Sequence, residues 1–221
     1  LELRTGRFTS PHLERMNERI CLDGAPLTDE EFVHAFNDVA PYTHLVDAAQ
    51  PHPLSFFETI VAMAYAAFAD APVDAAIVEV GMGGTWDATN GADAAVAVVL
   101  PIAVDHEKYL GTVPAEIALE KAGIIKAGSV AVLAEQTSDV AEVLLRRAAE
   151  VGATVVREGV EFGVRSRVPA VGGQLLSLQG LRARYDDVFL PLYGAHQAQN
   201  AAVALAAVEA FVGDEPLDGE L

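Results

Sequence analysis

The 221 residues are 52% hydrophobic and 21% charged, enough for one large α/β domain, or for one domain with a small appendage, around a well-packed core. No apolar run reaches the ~18–20 residues that a membrane span needs. The net charge of −18 excludes general nucleic-acid binding by phosphate neutralisation, so an anionic substrate must meet local cations or Mg²⁺ rather than a positive field.

The N-terminal stretch LELRTGRFTS lacks the layout of a signal peptide. Cys21 is the single cysteine, so no internal disulfide is expected, which fits a reducing, cytoplasmic compartment. The chain opens on Leu rather than Met, and GDEPLDGEL follows directly on a helical pattern. Both ends read as cut, and the expectation is a piece of a longer enzyme.

LTDEEFVHAFNDVAPYTHLVD carries a helix start at Thr28 or Asp29, with Glu31 placed to close a capping box and Phe32, Val33 and Phe36 following at helical spacing. PLSFFETIVAMAYAAFADA reads as a buried, nearly all-apolar helix capped by Ser55, with Glu58 at its third position. VDAAIVEV and AAVAVVLPIAVDH are continuous apolar runs rich in β-branched residues, the pattern of buried parallel strands. VPAEIALEKAGIIKAG predicts an amphipathic helix ending at Gly128. SVAVLAEQ is another strand, DVAEVLLRRAAEVGA a helix with a glycine stop, and TVVREG a further strand.

Alternation of this kind predicts an α/β fold, a mostly parallel sheet with helices on both faces. From about 160 to 192, EFGVRSRV, GQLLSLQG and ARYDDVFLPL predict a small antiparallel sheet. GAHQAQNAAVALAAVEAFVG closes the pattern as a helix with glycine at both ends. The expected domain covers 1–212, with 213–221 starting a linker.

In open α/β sheets ligands sit beyond the carboxyl ends of the strands. Glu79 ends AAIVEV, and Asp105-His106 ends AVAVVLPIAVDH. A carboxylate and an imidazole at two such ends are a donor set for Mg²⁺ or Mn²⁺. The plainer alternative is that Glu79 accepts from the glycine turn and His106 is a satisfied core histidine. The turn itself, EVGMGGTWDATN, has no Gly-Lys-Ser/Thr and does not match GxGxxG, so it is not a phosphate loop. Its DATN tail suits either polar ligand contacts or an Asx turn. Lysine occurs only at 108, 121 and 126. Lys121, placed on a helix face with Ile117, Ile124 and Ile125, could take up CO₂ as a carbamate, but the residues alone favour a snorkelling lysine or one paired with Glu120.

TSPHLERMNERI (9–20), SFFETIVAMAYAAF (55–68), EVGMGGTWDATN (79–90), DHEKYLG (105–111), EKAGIIKAG (120–128) and LPLYGAHQAQNAAVALAA (190–207) together resemble the folylpolyglutamate synthase/dihydrofolate synthase family of the Mur ligase group. The resemblance runs from end to end, and TSPH, GGxxDATN and EKAGIIK are specific to the folate branch. It implies an ATP-dependent ligase in which ATP phosphorylates a folate or dihydropteroate carboxylate and glutamate attacks the acyl phosphate.

By the same resemblance Ser10, Glu79 and His106 are Mg²⁺ ligands, and Lys121, carbamylated, holds a second Mg²⁺; His106 and Lys121 are the catalytic pair. Phe57 and Asp87 face the pterin, and His196 and Asn200 lie near the nucleotide, Asn200 as the better adenine contact. The implied partners are ATP, glutamate and dihydropteroate or a reduced folate, with no nucleic acid or membrane, in a cytoplasmic monomer. The family's phosphate loop is expected before residue 1 and its C-terminal domain after residue 221, so the 221-residue chain alone is expected to be inactive. The competing readings are another Mur-like amino-acid ligase and a non-catalytic folate- or nucleotide-binding relative.

Overall fold

A computed structural model describes residues 3–103, 112–213 and 215–218. The chain forms two compact units, Leu1–Ala92 and Asp93–Leu221.

In the first unit the strands are β1 (Thr5–Phe8), β2 (Ile20–Leu22), β3 (Ala25–Pro26) and β4 (Ala75–Val78), in the sheet order β3-β2-β1-β4. β1, β2 and β3 pair antiparallel, whereas β1 and β4 run parallel with Phe8 opposite Val78. The β2–β3 hairpin is not among the expected elements, although LDGA carries its signal. Asp23 and Gly24 both take positive φ (48° and 83°), as a tight two-residue hairpin turn requires.

Helices α1 (Asp29–Ala49) and α2 (Phe56–Asp70) supply most of the core of this unit. Both start as expected. Thr28 accepts from the Glu31 N–H and Ser55 from the Glu58 N–H, each glutamate reaching back to its cap. In α1 the core face is Ala35, Val39 and Thr43, while Val33 and Phe36 point outward, one position off the expected stripe. β4 is not the buried strand expected from VDAAIVEV. It pairs only with β1 among the described residues, and Ile77 is 56% exposed.

In the second unit β5 (Val96–Val99), β6 (Val130–Leu133) and β7 (Thr154–Arg157) form a parallel sheet in the order β5-β6-β7. Successive side chains of β6 point to opposite faces. Ala131 and Leu133 pack on α3 (Pro114–Ala122) and α4 (Ser138–Val151), while Val130 and Val132 pack on α5 (Ala195–Val212) and the antiparallel sheet. Helices therefore cover both faces, as expected.

The antiparallel sheet, β8 (Gly163–Ala170), β9 (Gly173–Gln179) and β10 (Arg184–Leu190), forms within the expected stretch. Gly152 stops α4 in the left-handed conformation (φ 70°), and Gly194 and Gly213 cap α5. Two boundaries differ from expectation. α3 ends at Ala122 rather than Gly128, because the chain turns at Gly123 and drops Ile125 fully into the core. β5 ends at Val99, well short of the Asp105-His106 end expected for that strand, and residues 104–111 lie outside the described residues. No described helix is long and apolar enough to cross a membrane.

Candidate functional site

The parallel pairing of β1 with β4 brings two carboxyl ends side by side. The ladder extends one step past the strands, where the Glu79 N–H donates to the Phe8 carbonyl at 3.0 Å. Thr9 and Ser10 then face Glu79 across a sequence separation of about seventy residues. The Thr9 hydroxyl and the Ser10 N–H (3.0 Å) both donate to Glu79 Oε2. Glu79 Oε1 and the Ser10 hydroxyl have no partner among the described residues. The cluster is therefore a set of hard oxygen donors at an exposed strand end, with lone pairs left over. Those are the terms on which Mg²⁺ binds, keeping water on its other positions.

The glycine turn after Glu79 is folded by its own far end. Asp87 Oδ2 accepts from the Met82 N–H at 2.8 Å, and Oδ1 accepts from the Thr89 N–H at 2.9 Å and the Thr89 hydroxyl at 2.5 Å. The Asx-turn reading of DATN is thus present in the structure. Asp87 caps a 3₁₀ turn over Ala88–Gly91, and any ligand contact must use its remaining lone pairs.

Phe57 packs edge-on against Phe8, centroids 5.9 Å apart, with its tip against Gly81. A Cβ at position 81 would lie 2.3 Å from the Phe57 ring, so Gly81 is glycine to admit the aromatic. Beside this turn Tyr65 donates to the Thr89 carbonyl at 2.6 Å. Burial and the nearby Asp87 charge push the Tyr65 phenol up. A small cavity of about 290 Å³ lies here, lined by Glu58, Val61, Ala62, Tyr65, Ala88, Gly91 and Ala92. The Ser55 hydroxyl and N–H hold the Glu58 carboxyl below its ordinary range, so it is ionised at neutral pH.

The remaining candidates lie in the second unit. Lys121 is half-buried in the last turn of α3, beside buried Ile117 and Ala122, and its ammonium pairs with no described residue. Pairing with Glu120 is therefore not what holds it. His196 and Asn200 sit four residues apart on the exposed face of α5, opposite the buried Ala198, Ala202 and Ala206. The His196 ring folds back over Gly194, where a Cβ would come within 2.6 Å of it. His106 lies outside the described residues. Among the described residues no three His, Cys, Asp or Glu side chains gather as a metal site.

Residues 43–208 match the Mur ligase middle domain. The chain belongs to the Mur ligase family. Within that family it groups with the folylpolyglutamate synthases/dihydrofolate synthases. It is 50% identical over 236 residues to a Mycobacterium tuberculosis dihydrofolate synthase/folylpolyglutamate synthase, across 100% of this chain and 48% of the relative.

Among solved structures, M. tuberculosis folylpolyglutamate synthase complexed with ADP and AMPPCP matches with a TM-score of 0.95 at 52% identity, over 99% of this chain and 51% of that one. A folylpolyglutamate synthase–AMPPCP–folate complex matches with a TM-score of 0.93 at 33% identity, over 99% of this chain and 54% of that one. The chain thus spans about half the length of the curated relatives it matches.

Sequence alone does not single out Thr9, whose hydroxyl bonds Glu79, or the pair His12 and Arg19, whose side chains meet at 2.9 Å. All three lie inside TSPHLERMNERI, a stretch whose residue types do not by themselves specify these contacts.

Proposed function

We propose that the protein containing this chain is an ATP-dependent ligase that joins L-glutamate to the carboxylate of a folate or of dihydropteroate. The single observation that carries the reading is the joint carboxyl end of β1 and β4. There Ser10 and Glu79 present unpartnered oxygens beside an aromatic wall at Phe57. The names of the relatives, and the nucleotide and folate in the matched structures, support the choice of substrates.

In this reading ATP phosphorylates the acceptor carboxylate. The amine of glutamate then attacks the acyl phosphate and phosphate leaves. Ser10 and Glu79, with His106, would hold one Mg²⁺, and Lys121, as a carbamate, would hold a second. When bound, these ions neutralise the transferring phosphoryl charge and orient it. Lys121 is suited to carbamylation because it is half-buried without a pairing carboxylate among the described residues. Phe57 packs against the pterin, Asp87 offers it a remaining lone pair, and His196 and Asn200 meet the nucleotide on the exposed face of α5. The protein works as a cytoplasmic monomer without nucleic acid.

The test is phosphate release by the whole protein with ATP, Mg²⁺ and glutamate, using dihydropteroate and tetrahydrofolate as separate acceptors. Turnover with one acceptor or both is expected, and the pattern separates a monofunctional from a bifunctional enzyme. Glu79→Gln should lower kcat/KM by about 10²–10³. Near-normal turnover in that variant would remove Glu79 from the metal site.

A further inference from the structure

Arg19 closes the 3₁₀ turn Met16–Arg19 just before β2 and is only 8% exposed. An arginine this buried normally faces a carboxylate. Among the described residues Arg19 has none. Its Nε donates to His12 Nδ1 at 2.9 Å, and its guanidinium carbon sits 5.3 Å over the ring of Phe56. Its backbone carbonyl accepts the Thr9 N–H at 3.0 Å. One residue therefore touches both ends of the Thr9–His12 loop and the first residue of α2.

What lies on either side gives these contacts a purpose. The loop carries Ser10 and, through Thr9 and Ser10, is fastened to Glu79. α2 begins at Phe56, whose ring is 55% exposed, and continues with Phe57 against Phe8 and Gly81. A cation stacked on an aromatic face fixes the ring's plane, and a hydrogen bond from the same planar group fixes the imidazole, which must be neutral at Nδ1 to accept it. Lysine, a point charge on a flexible stem, lacks the planar group that stacks on the ring while its edge donates to the imidazole.

We infer that Arg19 is a positioning residue that locks the Thr9–His12 loop to the start of α2, so that the Ser10–Glu79 oxygens and the Phe56–Phe57 wall are set as one unit. This rests on the ligase reading for its kinetic consequence but not for its structural one. Arg19 acts through His12 and Phe56 and is not itself a catalytic residue.

Two measurements test it. In the whole protein, Arg19→Lys should raise the Mg²⁺ requirement and the KM for the pteridine acceptor together, each by roughly 10-fold, as loss of a supporting contact does. Saturating kcat and Tm should change little. Phe56→Leu should raise the acceptor KM alone, and His12→Asn, which keeps a hydrogen-bond acceptor, should be milder than His12→Ala. A fall in Tm with both KM values unchanged, or a rise in only one KM for Arg19→Lys, overturns the inference.

Hydrogen exchange on the chain provides a readout independent of activity. Arg19→Lys should deprotect the amides of 9–14 and of 56–60 together, and deprotection of one segment without the other overturns the coupling. If the wild-type protein shows no turnover, the ligase reading falls, while hydrogen exchange still decides the role of Arg19.

Discussion

The carboxyl ends of β4 and β6 follow strands of nearly the same composition, AAIV and VAVL, and differ in what surrounds them. β6 is the middle strand of its sheet, with Ala131 and Val132 fully buried. Two side chains near its carboxyl end, Gln136 and Glu158, bond to backbone groups there. The Gln136 side chain accepts from the Ile102 N–H at 3.0 Å and donates to the Leu100 carbonyl at 2.9 Å, and Glu158 accepts the Glu135 N–H at 3.0 Å.

β4 is an edge among the described residues, and the oxygens beyond it, on Glu79 and Ser10, are left with free lone pairs. At the β6 end side chains tie together the backbones of neighbouring segments, whereas at the β4 end the bonds of Thr9 and Ser10 converge on one oxygen of Glu79 and leave the other free among the described residues. Unsatisfied polar groups at a positioned strand end, more than the strand's own sequence, mark where chemistry can occur.

The contrast can be broken most sharply through the two strands themselves. Leu133→Ala in β6, at 3% exposure, should cost about 2–4 kcal/mol of stability in urea unfolding. Ile77→Ala in β4, at 56% exposure, should cost under about 1 kcal/mol, and equal losses would erase the distinction.

Gly81→Ala tests how firmly the β4 end is held despite its exposure. The new methyl must displace the Phe57 ring from Phe8, at about 1–3 kcal/mol, with a matching change in the Phe57 ring resonances. Ser55→Ala removes the cap of α2, the helix behind that end, and should cost about 1 kcal/mol in the same unfolding measurement.

The smallest effect concerns the loop beside Glu79. Glu18 accepts the N–H groups of Leu13, Glu14 and Arg15 at 2.8, 3.0 and 2.7 Å. These bonds hold its carboxyl below the ordinary range, the Leu13 contact contributing most. A lowered folded-state pKa stabilises the fold fully above the unfolded value of about 4.3, and that support is lost as pH falls through the folded value. Hydrogen-exchange protection at 13–15 should therefore persist as the pH falls through the ordinary carboxylate range and disappear only below it. In Glu18→Gln that acid step should be absent.

Much of this was legible because it depends on neighbours in the chain. The Thr28 and Ser55 caps, the glycine stop at Gly152 and the antiparallel hairpins after residue 160 all follow from side chains acting within a few residues. Glu79 at a strand end was readable from an apolar run closing on a carboxylate. The helix end at Ala122 was not, because the pull on Ile125 comes from a core formed by distant segments.

The sequence by itself determined the α/β class and most of the helices and strands after residue 28, since periodicity, capping and motif spacing are local. Only the tertiary structure decided that β1 runs beside β4, which places Ser10 against Glu79. Likewise only the structure put Arg19 beneath both His12 and Phe56 and made β4 an edge with Ile77 exposed. Those outcomes come from pairing and packing between segments far apart in the chain, where each contact depends on all the others and no single stretch of residues specifies it.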